Sequence, residues 1–123
     1  MGQCRVAEIN HRALSYYPRL ARLKAYCVEH FDEEISLEQA AGIAALERTY
    51  FSNYFHRKVG VCFGCWLTSL RIEQARSSME SSDLSITRIA FNVGYKNLWS
   101  FERAFRRCTG MSARQYKVSV KPD

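Results

Sequence analysis

The stretch SITRIAFNVGYKNLWSFERAFRRCTG, residues 85–110, has an earlier counterpart in SLEQAAGIAALERTYFSNYFHRKVG, residues 36–60. Phe51, Phe55, Gly60 and Trp66 return 50 positions later as Phe101, Phe105, Gly110 and Tyr116, whereas Leu37 and Ala41 return 49 positions later as Ile86 and Ala90. The change of offset marks one residue inserted in the turn of the later copy. Residues of the same chemical type, in the same order and at two neighbouring offsets, define two copies of one helical unit.

Each copy divides into two helices and a turn. Ser36, followed by Leu37, Glu38 and Gln39, reads as a capping box: the Ser36 hydroxyl accepts from the Gln39 amide while the Gln39 side chain reaches back. Ser85 plays the same capping part ahead of Ile86, Ile89, Ala90 and Val93, without the reciprocal Gln. Ala41 and Ala90 are small where two helices must cross closely. Gly94 suits a tight turn of positive φ, and Asn97 can cap a helix running from Leu98 to about Cys108. Gly60 and Gly110 then supply left-handed terminations for the second helix of each copy.

Apolar residues along the chain recur at three- and four-residue steps rather than alternating, so the expected fold class is all-α. A segment from about Cys62 to Met79 reads as a long helix with two faces, Trp66, Leu67 and Leu70 on one side and Ile72, Ala75 and Met79 nearly opposite. Such a helix can pack against a different unit at each end. An N-terminal helix from about Arg19 to Phe31, with Leu20, Leu23, Cys27 and Phe31 inward, completes the first core. The expected organisation is a linker or disordered tail over 1–18, a first helix-turn-helix subdomain over 19–61, a linker helix over 62–80, a second subdomain over 81–119 and a tail over 120–123. Each subdomain is expected to be a homeodomain-like three-helix unit.

A chain of 123 residues suits one compact domain or two very small ones sharing a core, which excludes a large enzyme. The formal charge of +6 makes polyanions plausible partners, although a surplus of this size also serves solubility. Its placement is more telling. Between Ile86 and Lys117 stand Arg88, Lys96, Arg103, Arg106, Arg107, Arg114 and Lys117 against Glu102, whereas Leu37 to Gly60 holds Arg48, Arg57 and Lys58 against Glu38 and Glu47. The later copy is the stronger electrostatic anchor.

No apolar run approaches the length of a membrane span and no signal-peptide core is present, so a cytoplasmic, nucleoid-associated protein without a membrane partner is expected. Cys4, Cys27, Cys62, Cys65 and Cys108 are an odd, scattered set that argues against a disulfide framework. Cys62 and Cys65 have the spacing of half a zinc site, with His56 nearby, but no second pair follows at a suitable distance, and no metal or cofactor is expected.

At 100° per residue, Leu98, Phe101, Phe105 and Cys108 share one side of the second helix of the later copy. Trp99, Arg103 and Arg106 lie opposite, flanked by Ser100 and Arg107. In the earlier copy Phe51, Tyr54 and Phe55 face inward, leaving Thr49, Asn53 and His56 outside with Ser52 and Arg57 beside them. Polar outer faces are usual on any solvated helix; two matching ones, each on the second helix of a helix-turn-helix, suit entry into a DNA major groove. Arg103 can fork onto guanine and Asn53 can pair with adenine, while Thr49, Ser52 and Ser100 can contact bases or the thymine methyl and Trp99 can pack on a thymine methyl or sugar. Arg57, Lys58, Lys96, Arg106 and Arg107 suit phosphates, which fix register without reading sequence.

The string from Ser36 to Gly60, then Arg71-Ile72-Glu73-Gln74-Ala75, Ile89-Ala90, Val93-Gly94-Tyr95 and Phe101 to Gly110, ending at Tyr116, closely resembles the DNA-binding domain of AraC-type bacterial transcription regulators. The resemblance covers roughly residues 20 to 117. It implies about seven helices, two helix-turn-helix subdomains joined by the long one, and sequence-specific binding of promoter DNA as activator or repressor. It also places base contacts at Thr49, Ser52 and Asn53 and at Trp99, Ser100 and Arg103. The chain departs from the family's pattern at Ala45, where Gly is usual in the first turn, and at Glu47, where Ser is the usual cap. A left-handed Ala costs roughly 1 to 2 kcal/mol, so a first turn of different shape is expected.

Double-stranded DNA is thus the expected partner, with RNA polymerase as a candidate second one and no small-molecule ligand in this segment. The rival reading is a basic helical interaction module that contacts the transcription machinery without sequence-specific DNA readout. No catalytic residues are expected: a glycine-rich phosphate loop, H-E-x-x-H and G-x-S-x-G are all missing, and the three histidines have no acid or nucleophile at motif spacing.

Overall fold

The computed structural model describes residues 8–120, which form eight helices and, among the described residues, no strand. They are α1 (Ala13–Tyr16), α2 (Pro18–His30), α3 (Leu37–Ile43), α4 (Arg48–Val59), α5 (Phe63–Ser81), α6 (Ile86–Asn92), α7 (Leu98–Thr109) and α8 (Ala113–Val120). The last seven are the helices expected of two three-helix units sharing a connector.

Two cores flank the middle of α5. The first gathers Leu20, Leu23 and Cys27 of α2, Ala40 and Ala41 of α3 and Phe51, Phe55 and Val59 of α4 around Phe63, Trp66 and Leu67. The second gathers Ile72, Ala75 and Met79 with Ile89, Ala90, Phe101, Phe105 and Ala113. The expected two-faced helix is therefore present, its first half serving one core and its second half the other. Phe51, Phe55, Phe101 and Phe105 are fully buried, and truncating any one to Ala would cost about 3–5 kcal/mol. Burial also pushes the Cys27 thiol up to about 12, so at neutral pH it serves as a small hydrophobe. On α8, Tyr116 packs edge-on against Phe105 and under the Arg76 guanidinium, and its hydroxyl donates to the Glu80 carboxylate.

A polar clamp joins the two units. Arg71 of α5 donates from Nε to the Phe31 carbonyl at 2.7 Å and from Nη2 to the Glu33 carbonyl at 2.8 Å, while its guanidinium lies 5.8 Å from the Tyr95 ring centroid. Phe31 packs against both cores. Beside this clamp the turn of the second unit meets the first unit directly, since a Cβ on Gly94 would stand 3.0 Å from the Asp32 backbone.

The segment expected to be a linker or tail over 1–18 is corrected for residues 8–17; residues 1–7 lie outside the described residues, as do 121–123. Ile9, Ala13 and Leu14 are buried in the first core, and α1 packs beside α2 and α4. The Asn10 amide donates to the Val59 carbonyl at 2.7 Å, tying the segment to the end of α4. A four-residue helix offers a single turn of apolar spacing, too little for a periodic signal, and Pro18 at the first position of α2 marks the next helix more strongly.

The first turn also departs from expectation, for it keeps the shape of the second. Leu46 N donates to the Ala41 carbonyl and Ala45 N to Gly42, just as Tyr95 N donates to Ala90 and Gly94 N to Phe91. Ala45 accepts a φ of 61°, the one positive value at a non-glycine among the described residues. Arg19 of α2 holds this turn from outside, its Nη1 donating to the Ala44 and Ala45 carbonyls at 2.9 and 3.1 Å.

These turns generate a reciprocal pair of predictions, measured by urea unfolding. Ala45→Gly removes left-handed strain of roughly 1–2 kcal/mol but loosens the unfolded chain by about 0.4–1, so it should stabilise by about 0.5–1 kcal/mol. Gly94→Ala, which adds strain and a backbone collision between the units, should destabilise by more than about 2 kcal/mol. Equal effects of opposite sign would show that the Gly94–Asp32 approach contributes nothing.

Candidate nucleic-acid interface

The two helix-turn-helix units start each helix with a capping side chain. Gln39 N donates to Ser36 Oγ at 3.0 Å, Tyr50 N to Glu47 Oε1 at 2.9 Å, Arg88 N to Ser85 Oγ at 3.1 Å and Ser100 N to Asn97 Oδ1 at 2.8 Å. The reciprocal half of the expected Ser36 box is not formed, because Gln39 Nε2 donates to the Tyr26 hydroxyl on α2 at 2.9 Å instead. A reciprocal box closes at the start of α8, where Ser112 and Gln115 exchange bonds. Cys62 is the cap of α5, its Sγ accepting from Cys65 N at 3.4 Å.

Glu47 and Asn97 give the two second helices different electrostatic beginnings. The backbone amides of Tyr50 and then Thr49 hold the Glu47 carboxyl below its ordinary value, so a carboxylate sits on the amino end of α4 at neutral pH. Asn97 performs the same task on α7 without charge.

On α4, Phe51, Phe55 and Val59 are buried, whereas Thr49, Asn53, His56 and Arg57 are exposed and Ser52 is half-buried. Tyr54, expected inward, is also half-buried: it lies over Tyr50 with centroids 6.2 Å apart and edge-on to Tyr17. Lys58 is half-buried as well, its ammonium 4.8 Å from the Tyr17 centroid and 5.8 Å from that of Tyr54. On α7, Phe101, Ala104 and Phe105 are buried, and Trp99, Arg103, Arg106 and Arg107 form the exposed side with half-buried Ser100 beside them. Leu98, expected in the core, is exposed, because at the first position of α7 its side chain precedes the turn that packs. Lys96 stands exposed in the second turn, in a cleft that Asp32, Glu34 and Arg71 also line.

The structure thus gathers Thr49, Ser52 and Asn53 on one helix and Trp99, Ser100 and Arg103 on its repeat. Trp99 is 67% exposed although it is the largest apolar side chain on α7, and the Arg103 guanidinium lies 4.7 Å from its ring centroid. That cation–π contact between residues one turn apart restricts Arg103 before any partner arrives. The spacing of Trp99 and Arg103 carried this signal; the clamps made by Arg19 and Arg71 had none, because their acceptors are backbone carbonyls.

A family model described as a helix-turn-helix domain matches residues 40–118, most of the chain. Over 111 residues, 89% of this chain, the sequence is 26% identical to an uncharacterized HTH-type transcriptional regulator, YtdP, of Bacillus subtilis. The chain spans only 14% of that regulator, and less than half of the length of the other curated relatives compared, so the match is to one part of larger proteins. Among solved structures, the DNA-binding domain of the global transcriptional factor AdpA, in complex with a target DNA, is 29% identical with a TM-score of 0.77, over 84% of this chain and 93% of that one. An AraC-type DNA-binding-domain regulator from Chromobacterium violaceum shares the fold at 18% identity, with a TM-score of 0.78 over 84% of this chain and 92% of that one. Tandem helix-turn-helix units on a shared helix, the matched family and these neighbours together place the chain in the AraC-type helix-turn-helix family of transcription regulators.

Proposed function

We propose that the chain reads a specific double-stranded DNA sequence and regulates transcription through it, α4 and α7 entering successive major grooves. The observation that carries this reading is the matched pair of outer faces, above all Arg103 held over exposed Trp99 on a helix whose outer side also bears Arg106 and Arg107. Arg103 forks onto guanine O6 and N7, Asn53 pairs with adenine, and Thr49, Ser52 and Ser100 take neighbouring bases. Trp99 packs on a thymine methyl or sugar. Arg57, Lys58, Lys96, Arg106 and Arg107 take phosphates. Cytoplasmic, nucleoid-associated action, activation of promoters and contact with RNA polymerase belong to the same reading.

The two units differ in how they hold the backbone. A helix amino end ordinarily offers free amides and a positive dipole to phosphate. In α4 those amides are engaged by the Glu47 carboxylate, which also repels phosphate, whereas α7 begins on neutral Asn97. The second unit supplies most of the affinity, and the first adds selectivity.

Sites selected from random duplex DNA, followed by mobility-shift titration, test this reading. These five phosphate contacts alone give a salt slope near −4.5, so binding should weaken by at least about 500-fold between roughly 50 and 200 mM salt. Arg103→Ala should relax preference at one base pair by about 1–3 kcal/mol, and Arg107→Ala should weaken all sequences alike. Binding of wild-type chain that ignores sequence would sink the proposal and favour the interaction-module reading. In the same assay Glu47→Ser, which retains a cap and removes the charge, should tighten binding severalfold without altering the preferred sequence; weaker binding would mean that the carboxylate is not opposed to phosphate.

A further inference from the structure

An open cleft of about 980 Å³ lies where the segment before α2 meets the last turn of α4. It is strongly cationic. Arg12 contributes from the residue before α1, Lys24 from α2 and Arg57 and Lys58 from α4, with His11 beside them, and no carboxylate is among the described residues that line it. Tyr16 stands at its edge, 76% exposed and packed edge-on to Tyr17 with centroids 4.9 Å apart, and Tyr17 in turn lies under the Lys58 ammonium.

The cleft is held rigidly to α4. Besides the Asn10–Val59 bond, Asn10 Nδ2 donates to the Lys58 carbonyl at 3.4 Å, so α4's terminal carbonyls are taken by the preceding segment. Gly60 lets that segment approach: a Cβ there would stand 2.7 Å from the Glu8 carbonyl oxygen. Arg57 belongs to both surfaces, for it is one helical turn beyond Asn53 on the exposed side of α4 and also lines the cleft. On the base-reading proposal above, a strand whose bases face Asn53 would pass Arg57 and with it the mouth of the cleft.

We propose that this cleft binds phosphodiester groups of the DNA strand flanking the bases that α4 faces, anchoring the first unit from the carboxyl end of its helix. The proposal rests on the DNA-reading function above. It answers a deficit: α3, the turn and α4 carry Arg48, Arg57 and Lys58 against Glu38 and Glu47, and Glu47 occupies the helix end where phosphate would otherwise dock. Arg12 and Lys24 restore an excess of positive charge at the opposite end. The continuity through Arg57 favours a DNA strand over a free phosphate compound, which would need no neighbour on the reading face.

The test uses the full chain and a duplex carrying its selected site. The double variant Arg12→Gln/Lys24→Gln removes two contacts without touching the core, so the salt slope should fall by about 1.8 and affinity near 0.15 M salt by about 30-fold, with the same base preference. Ser15→Lys adds a cation at the rim and should steepen the slope by about 0.9. Inorganic phosphate and pyrophosphate, titrated without DNA and followed by backbone amide NMR, should bind weakly at most. Selective binding with an unchanged slope in both variants overturns the cleft and leaves the base-reading proposal standing. Tight pyrophosphate binding together with unaltered DNA affinity overturns it too, assigning the cleft to a free phosphate compound. Non-selective DNA binding whose slope still falls in the double variant removes base reading and supports the cleft.

Discussion

Everything in this fold depends on α5 being shared. Neither unit closes a core alone, since the first needs Phe63, Trp66 and Leu67 and the second needs Ile72, Ala75 and Met79 of the same helix. Arg71 sits where the faces change over and spends its donors across the boundary, on carbonyls of the loop that follows α2. A lysine could not do this, because one ammonium cannot offer Nε and Nη2 in a fixed fork. With Tyr95 beneath the guanidinium and Gly94 against Asp32, the second turn is seated on the first unit as well as on its own core. Relative placement of α4 and α7 is thereby a property of packing rather than of a flexible linker.

The repeat is unequal within that frame, and the inequalities are compensated locally. Ala45 takes a conformation that glycine would hold with less strain, and Arg19 ties both adjacent carbonyls from α2. Gly94 needs no such brace because it has no Cβ to accommodate, and the space so freed is used by Asp32. At the next position of interest, Glu47 caps as well as Asn97 does but brings a charge to the end of α4. Cap geometry is conserved between the copies while electrostatics diverge.

Much of this was legible in the chain because its causes are local. Helix starts follow from Ser36, Ser85 and Asn97, the two faces of α5 from three- and four-residue spacing, and the exposed sets on α4 and α7 from their 50-residue correspondence. What escaped has non-local causes. Gln39 gave up its capping role to a tyrosine 13 positions earlier, a competition that no window around Ser36 contains. α1 is one turn long, so Ile9, Ala13 and Leu14 make no pattern until α4 is folded beside them. Arg19 and Arg71 bond to carbonyls, which every residue possesses, and their sequence neighbourhoods therefore mark no partner. In the candidate site, exposure could be read from the helix face, but the Lys58 ammonium over Tyr17 depends on an element read as a tail.

The rigid join also bears on how a weakly charged unit can matter in the proposed reading. Once α7 is seated, α4 is presented to the neighbouring groove at an effective concentration set by α5 rather than by diffusion. Under that condition a unit with a nearly neutral reading face adds discrimination even where its own affinity is slight, because a wrong base leaves Asn53 or Thr49 unpaired against a groove they cannot leave. Greater charge on that face would raise affinity for every sequence and dilute the discrimination. Arg12 and Lys24 lie with Arg57 and Lys58 at the far end of α4, beside α1. In the proposed reading these cations hold the unit down without entering the groove, so backbone anchoring and base reading are separated along a single helix.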